Sequence, residues 1–165
     1  MPLPTTVPTT GAPVLLRRAT VADLPALVAL LADDPLGASR EEPDGDLAAY
    51  GRAFDLIDAD PAHLLVAAVA GDAVVGTLQL TFLPGLARHG ALRAQLEAVR
   101  VAADERSRGL GAAMVGWAVE EARRRGCGLV QLTTDKSRSE AHRFYERLGF
   151  VASHEGLKLA LPAPS

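Results

Sequence analysis

The sequence predicts an α/β fold in which one mixed sheet carries helices on both faces. The apolar runs Leu64 to Ala70 and Val74 to Leu83 meet at Gly71-Asp72, a dipeptide typical of an antiparallel hairpin. Later, the strand-like run Leu92 to Val101 is followed by a long helical pattern and a further apolar run. That order is typical of a helical crossover between parallel strands, so both kinds of strand pairing are expected in one sheet.

Periodicity and turn residues give the remaining elements. Thr20 followed by Asp23 is close to a capping box, and the apolar spacing after it predicts a helix. The predicted order is β-α-α-β-β-β-α-β-α-β. The remaining strands are expected over Val14 to Arg18 and Leu129 to Thr134, with a final strand or hairpin over Phe150 to Leu161. The later helices are expected over Asp46 to Asp58, Leu110 to about Arg125, and Ser139 to Leu148.

Length and composition indicate one soluble globular domain. The chain has 165 residues, 48% of them hydrophobic and 22% charged, which is ordinary for such a domain. We expect the domain to span 14–161, with 1–13 as a disordered lead-in rich in Pro and Thr and 162–165 as a loose end. No apolar run approaches the roughly 20 residues that span a bilayer. The single cysteine excludes an intrachain disulfide and suits a reducing cytoplasm.

Charge and residue spacing argue against several classes of function. The net charge is −3 and the basic residues form no long stripe, so we expect no nucleic-acid partner. The cluster Arg123-Arg124-Arg125 is expected to compensate the dipole of the helix that it ends. Cys127 has no defined basic partner, which argues against a nucleophile. Glu97, His142 and His154 lack metal-ligand spacing, so we expect no catalytic metal.

A basic loop rich in glycine predicts an anion site. The loop reads Arg106-Ser107-Arg108-Gly109-Leu110-Gly111 and lies between a predicted strand and a predicted helix. The first amides of a helix have no intrahelical partner, and the helix dipole places partial positive charge there. The two glycines would let a phosphate approach the main chain, and the two arginines would add charge. We extend the predicted site to Ala112 in the first helical turn.

A second motif stands downstream, at Phe144-Tyr145-Glu146-Arg147-Leu148-Gly149-Phe150. Its apolar spacing indicates a short helix that ends at Gly149. Together with the glycine loop, and in this order, the motif resembles the GNAT superfamily of N-acetyltransferases. That family carries Arg/Gln-x-x-Gly-x-Gly/Ala for the pyrophosphate of acetyl-CoA and a later Phe-Tyr-x-x-Leu-Gly-Phe element. The resemblance covers roughly Val14 to Leu161 and implies the same fold.

The resemblance implies acetyl-CoA as co-substrate and an amine as acceptor. In the family, main-chain groups of the strand before the loop hold the pantetheine arm and polarise the thioester carbonyl, and a β-bulge opens the strand pair there. Val99, Arg100 and Val101 occupy that place in this sequence. Arg138 stands where many relatives have an Asn that helps to hold the cofactor, so Arg138 either meets a phosphate or the contact is lost.

Two residues are candidates for proton transfer. Simple alternation places Gln95, Glu97, Val99 and Val101 on one strand face, where desolvation beside valines would raise the pKa of Glu97 toward that of a base. The alternative is a solvent-facing Glu97 paired with Arg93 or Arg100. Tyr145 is the candidate acid for the leaving thiolate, as in many relatives. Its alternative role is that of a packed aromatic side chain.

Alternative functions remain at this point. A catalytically silent acyl-CoA sensor would keep the cofactor site without the chemistry. A nucleotide-binding enzyme is disfavoured, because the loop lacks the Gly-x-x-x-x-Gly-Lys-Ser/Thr pattern and stands late in the chain. The acceptor is not identified, although the resemblance implies that Asp33 to Pro61 and Pro84 to Ala91 select it. The resemblance also leaves room for a homodimer.

Overall fold

Six strands form one mixed sheet in the computed structural model, which describes residues 2–33, 41 and 45–161. The strands lie side by side in chain order, and all of them belong to a unit that extends to Leu132. Every neighbouring pair is antiparallel except the last, which is parallel. The strands are β1 (Thr5–Val7), β2 (Val14–Arg18), β3 (His63–Ala70), β4 (Ala73–Leu83), β5 (Leu92–Val101) and β6 (Cys127–Leu132).

Helices α1 (Leu24–Ala32) and α2 (Ala48–Ala59) connect β2 to β3, and α4 (Leu110–Arg124) is the crossover from β5 to β6. The short α3 (Ala87–Gly90) joins β4 to β5. The second unit starts at Thr133 and contains α5 (Ser139–Arg147). The predicted α/β class, the antiparallel hairpin and the parallel crossover are therefore confirmed.

The two sheet faces of the first unit are covered by different helices. Thr77 and Gln79 of β4 line a cavity together with residues of α1 and α2. The opposite face packs closely against α4. A Cβ on Gly76 would lie 3.1 Å from the Met114 Sδ of α4 and 3.0 Å from the Arg100 carbonyl oxygen of the neighbouring strand β5. Only glycine fits there without displacing a neighbour. The prediction of helices on both faces is confirmed.

A charged cluster fixes the start of α1, as the capping pattern predicts. Asp23 Oδ2 accepts hydrogen bonds from the Thr20 amide (2.7 Å) and hydroxyl (2.9 Å). Arg17 of β2 donates to both Asp23 oxygens, at 2.7 and 2.8 Å. These hydrogen bonds, above all those from Arg17, lower the pKa of Asp23 to about 2, although burial would raise it. One carboxylate thus joins β2 to the first turn of α1.

Two arginines of the cluster at the end of α4, Arg124 and Arg125, form ion pairs with a buried acid. Glu121 is buried and accepts hydrogen bonds from Arg124 and Arg125. Burial alone would raise the pKa of Glu121, but these two arginines lower it further than burial raises it. Arg125 also lies 4.1 Å from the centre of the Phe82 ring. Arg124 and Arg125 therefore stabilise the helix end, in agreement with the structural role predicted for the cluster.

The two ends of the chain differ from the predictions. Residues 5–7, expected to be disordered, form β1 because their main chain pairs with β2 and Val7 is buried. The strand or hairpin predicted for Phe150 to Leu161 is wrong, because this segment is in neither a helix nor a strand and is exposed after Phe150. Alternating apolar residues form a strand only where a neighbouring strand accepts their hydrogen bonds. The predicted loose end 162–165 lies outside the described residues.

Candidate functional site

A β-bulge interrupts the pairing of β5 with β4. Gln79 pairs with Glu97 and Thr77 pairs with Arg100, so Leu78 alone stands opposite both Ala98 and Val99. Ala98 has the left-handed φ of 52° that lets the strand accommodate the extra residue. The bulge that the resemblance implies is therefore present, and it lies inside the segment expected to meet the cofactor.

The other edge of β5 loses its neighbouring strand β6 at the same point. The parallel pairing with β6 ends at Leu96 opposite Leu132, so Glu97 to Val101 pair with β4 and not with β6. A free strand edge presents amide and carbonyl groups that an extended ligand can bind as an added strand. The predicted cofactor residues Val99, Arg100 and Val101 belong to this part of the strand. The Val99 carbonyl accepts a hydrogen bond from the Arg100 guanidinium and the Val101 carbonyl accepts one from Arg106, both at 3.0 Å.

The glycine loop leads from β5 into the uncapped first turn of α4. Gly109 occupies the N-cap position with φ of 83°, and no side chain caps the helix. Ser107 is also left-handed, with φ of 64°. The amides of Leu110, Gly111 and Ala112 begin the helix without intrahelical acceptors, and the helix dipole adds partial positive charge. This arrangement is suitable for phosphate, as the sequence predicts.

The two arginines of the loop also have protein partners. Arg106 donates to the Val101 carbonyl (3.0 Å) and to the Asp33 carboxylate (2.6 Å), so its guanidinium joins β5 to the end of α1. Arg108 donates to Glu105 at 3.2 Å. Both arginines remain about half exposed. Arg106 therefore fixes the loop as well as adding charge, a role that the sequence analysis missed.

The N-terminal segment adds a further support that sequence reasoning missed. The Thr10 amide donates to the Arg108 carbonyl at 3.0 Å, inside the glycine loop. Because residues 1–13 were expected to be disordered, this hydrogen bond was not predicted. The bond links residues that are 98 positions apart, and no local pattern in the sequence indicates it.

Glu97 occupies the expected strand but not the expected environment. Directly paired residues point to the same sheet face, so Glu97 shares a face with Gln79 and Arg100 shares it with Thr77. Val101 pairs with Gly76 and lies on the other face. The expectation that alternation places Glu97 and Val101 together is therefore wrong, because the bulge shifts the alternation. Glu97 is also exposed, which contradicts the expected desolvation.

A cavity of about 150 Å³ lies on the Glu97 face of the sheet. Its walls are apolar side chains of α1 and α2, and its floor includes Thr77, Gln79 and the bulge residue Ala98. The cavity is therefore bordered by Ala98, the residue at which the pairing of β5 with β4 becomes irregular. The resemblance implies that Asp33 to Pro61 shape the acceptor pocket, and α2 belongs to that segment; residues 34–40 and 42–44 of it lie outside the described residues.

In the second unit, the Phe-Tyr-x-x-Leu-Gly-Phe motif forms the end of α5. Gly149 has φ of 88°, its amide donates to Glu146 (2.9 Å), and the Phe150 amide donates to Tyr145 (3.0 Å). This pair of bonds is the Schellman motif, which commonly brings the residues at its two ends into apolar contact. Here the Tyr145 and Phe150 ring centres are 5.7 Å apart, so the Tyr145 ring has a packing role whatever its hydroxyl does.

Arg138 and Cys127 complete the predicted residues. Arg138 is the N-cap residue of α5 and is half-buried; its contact with a cofactor stays a prediction. Burial raises the pKa of the Cys127 thiol more than the charge of Arg125 lowers it, which does not favour a nucleophile. Across the described ranges, no group of three or more His, Cys, Asp or Glu side chains could hold a metal ion. Nor does any described helix have the length and apolarity to span a membrane.

Comparisons of the whole chain point to one family. The sequence profile of the Acetyltransferase (GNAT) family matches residues 24–150. The aminoalkylphosphonate N-acetyltransferase of Salmonella typhimurium strain LT2 is 32% identical over 139 residues, which cover 84% of this chain and 86% of that enzyme.

Solved structures agree with this comparison. A protein from Bacillus halodurans C-125, named a transcriptional regulator, is 49% identical with a TM-score of 0.85, over 90% of this chain and 99% of that one. A provisionally assigned acetyltransferase from Agrobacterium tumefaciens strain C58 is 31% identical with a TM-score of 0.79, over 88% and 99%. A Clostridium acetobutylicum structure with acetyl-CoA is 20% identical with a TM-score of 0.69, over 89% and 96%; that likeness shows the fold alone.

Proposed function

Because this chain belongs to the GNAT family of acetyltransferases, we propose that it moves the acetyl group of acetyl-CoA to a primary amine by direct attack on the thioester. The observation that carries this proposal is the bulged, free-edged half of β5, followed along the chain by the uncapped start of α4. An extended arm with a pyrophosphate at one end needs both features. Acetyl-CoA supplies an activated acyl group attached to such an arm.

The residues around this edge fit the cofactor. The pantetheine arm is placed along Val99, Arg100 and Val101, at the edge that β6 does not pair. The Val99 and Val101 carbonyls, which already accept from Arg100 and Arg106, each keep a second lone pair for it. The loop from Arg106 through Ser107, Arg108, Gly109 and Leu110 to Gly111 and Ala112 offers amides to the pyrophosphate. Arg138 is the further candidate for a phosphate contact. These assignments rest on main-chain geometry and on the charge of the arginines.

Glu97 is the proposed base. It stands next to the bulge and shares a sheet face with Gln79, a residue of the cavity wall. Since Glu97 is exposed, it can take the proton of the ammonium directly or through a water molecule and pass it to solvent. The neutral amine then forms the C–N bond while the C–S bond breaks.

Tyr145 is the proposed acid, which gives a proton to the departing sulfur and is reprotonated by the proton that the acylated nitrogen releases. Tyr145→Phe keeps the ring contact with Phe150, so stability should change by no more than a buried hydrogen bond, on the order of 1 kcal/mol. Turnover should fall about 10²–10⁴-fold. Tyr145→Ala, the matched comparison, should also lower the melting temperature because it breaks the end of α5. Equal turnover of Tyr145→Phe and wild type would leave water as the proton source.

The acceptor is proposed at the level of a small primary amine. Aminoalkylphosphonates belong in the first panel of acceptors, since the relative from Salmonella typhimurium is named for them. Amino acids, polyamines and simple alkylamines complete the panel. A cytoplasmic location fits the single half-buried cysteine and the supply of acetyl-CoA, and a homodimer is also proposed. The domain begins before residue 14, because β1 belongs to its sheet.

The placement of the cofactor is tested with two glycines of α4. Gly111 lies in the first turn, and Gly116 is exposed in the same helix with nothing within 4 Å of an added Cβ. Gly111→Val should weaken acetyl-CoA binding roughly 10- to 100-fold, since a branched side chain blocks hydrogen bonds to a charged group. Gly116→Val, the same substitution further along the same helix, should bind as wild type. Calorimetric titration measures both.

The same protein samples separate an enzyme from a sensor. Release of free CoA thiol in the presence of the amine panel reports transfer. Tight acetyl-CoA binding without amine-dependent release from any acceptor would favour the silent sensor. Absence of acetyl-CoA binding in the folded wild-type protein would overturn the proposed function altogether.

A further inference from the structure

We infer that the cavity between α1, α2 and the bulge binds the hydrocarbon part of the acceptor, so that the substrate is an amine with a compact alkyl or aryl group. The inference rests on the proposed function and names the class of substrate that the site would take. A cavity of about 150 Å³ can hold a group of roughly six carbon atoms, since an apolar cavity of that size binds benzene.

The walls select apolar groups. Most of the described lining side chains are aliphatic or aromatic, with Leu27 and Phe54 almost fully buried, and none of them is an acid or a base. Three lining side chains are polar. The Thr77 hydroxyl donates to the Val66 carbonyl (2.9 Å) and the Tyr50 hydroxyl donates to Glu41 (2.8 Å), which leaves the uncharged amide of Gln79 as the polar group at the bulge end of the cavity. A charged group in this cavity would lose its hydration without a compensating ion pair.

The position of the cavity relates it to the acceptor. Ala98 belongs both to the cavity wall and to the bulge that begins the free edge of β5. A hydrocarbon group inside the cavity would therefore leave its amino group at the bulge, on the same sheet face as Glu97. An acetyl group has only two carbons and fills little of the space, which leaves most of the cavity to the second substrate.

The experiment compares amines of similar basicity but different length. The full-length protein is assayed for CoA release with methylamine, propylamine and hexylamine at fixed acetyl-CoA. Burying methylene groups should raise kcat/KM for hexylamine at least about tenfold above methylamine. Binding of hexylamine, measured by calorimetry, gives a second readout that does not need turnover.

Two variants of α2 provide the control. Ala53 lines the cavity and is exposed, so it lies at the opening, whereas Ala59 is exposed on the same helix and does not line the cavity. Ala53→Phe should lower the hexylamine-to-methylamine ratio at least about fivefold. Ala59→Phe should leave that ratio at its wild-type value.

Each outcome decides one question. Equal kcat/KM for all three amines, unchanged in Ala53→Phe, overturns the inference and leaves the acetyltransferase intact. A preference for hexanoyl-CoA over acetyl-CoA that Ala53→Phe abolishes also overturns it, because the cavity then holds the acyl chain. Hexylamine binding that Ala53→Phe weakens, with no transfer to any amine, supports the cavity and counts against the proposed function. No binding and no preference overturns the inference.

Discussion

The two halves of β5 show how one strand can serve the fold and the site. From Arg93 to Leu96 the strand is paired on both edges, with β4 and with β6. Ala94 and Leu96 are almost completely buried there. From Glu97 to Val101 the strand carries a bulge, keeps one neighbour, and has no fully buried side chain. A change of pairing at one position thus separates a structural half from a half that can bind a ligand.

The difference teaches that the site depends on what the sheet leaves unpaired. Main-chain groups of the first half are used within the sheet, so they contribute stability and cannot bind anything else. Among the described strands the second half pairs with β4 alone, and it is braced from its far end, where Arg106 donates to the Val101 carbonyl and to Asp33. Three pairs of variants, ordered by expected effect, test this division.

The largest effect, on turnover, is expected in a pair of substitutions at Glu97 and Gln95. These residues lie on either side of Leu96, where the pairing with β6 ends. Glu97→Gln should lower turnover about 10²–10⁴-fold and keep acetyl-CoA affinity, because the amide cannot accept the proton of the ammonium. Gln95 lies two residues earlier and pairs with Gln131 at 2.8 Å, so Gln95→Ala should cost about 0.5–1.5 kcal/mol of stability and little turnover. Steady-state kinetics and thermal unfolding measure the two.

The pH profile sharpens this pair. The deficit of Glu97→Gln should shrink as pH rises, because more of the amine is then neutral and needs no base. If Glu97→Gln keeps wild-type turnover at neutral pH, Glu97 is an ordinary exposed residue and not the base, and the second half of β5 then supplies no group for proton transfer.

The next effect concerns packing. Leu96→Ala should lower the free energy of unfolding by about 2–5 kcal/mol, since Leu96 is 2% exposed and its removal leaves a cavity. Val101→Ala, in the half-buried part of the strand, should cost clearly less. Chemical denaturation of both variants tests the contrast. Equal losses would mean that the two halves contribute alike to the fold.

The smallest effect should change sign between the halves. Ala98 is left-handed, so Ala98→Gly should relieve strain and raise stability by about 0.5–1 kcal/mol. Ala94 is buried in regular strand, so Ala94→Gly should lower stability by about 1 kcal/mol. Thermal unfolding of the two variants is the measurement, and a loss in Ala98→Gly would show that the bulge is unstrained.

Most of the fold could be predicted from local patterns, because helices, strands and turns are determined largely by residues that are close together in the chain. Alternation and the turn at Gly71 predicted β3 and β4, and helical spacing predicted α4, whose Met114 and Trp117 are buried in the core. The glycine loop and the end of α5 were predicted for the same reason. Both depend on positive φ angles that Gly109 and Gly149 adopt without steric cost.

Long-range contacts decided what these patterns could not. Nothing in the residue type of Ala98 indicates a bulge, and only its pairing with β4 shows where alternation shifts and which face Glu97 occupies. Strand β1 exists because β2 offers it an edge, whereas Phe150 to Leu161 carries a strand-like pattern and forms no strand.

The sequence by itself determined the family, the order of most elements and the position of the phosphate loop, because motifs and periodicity are local properties of the chain. The tertiary structure alone decided the free edge of β5, the link from Arg106 to Asp33 across 73 residues, and the cavity that ends at Ala98. Each of these brings together residues that are distant in the chain. Their distances follow from how the helices pack on the sheet, which no short stretch of sequence encodes.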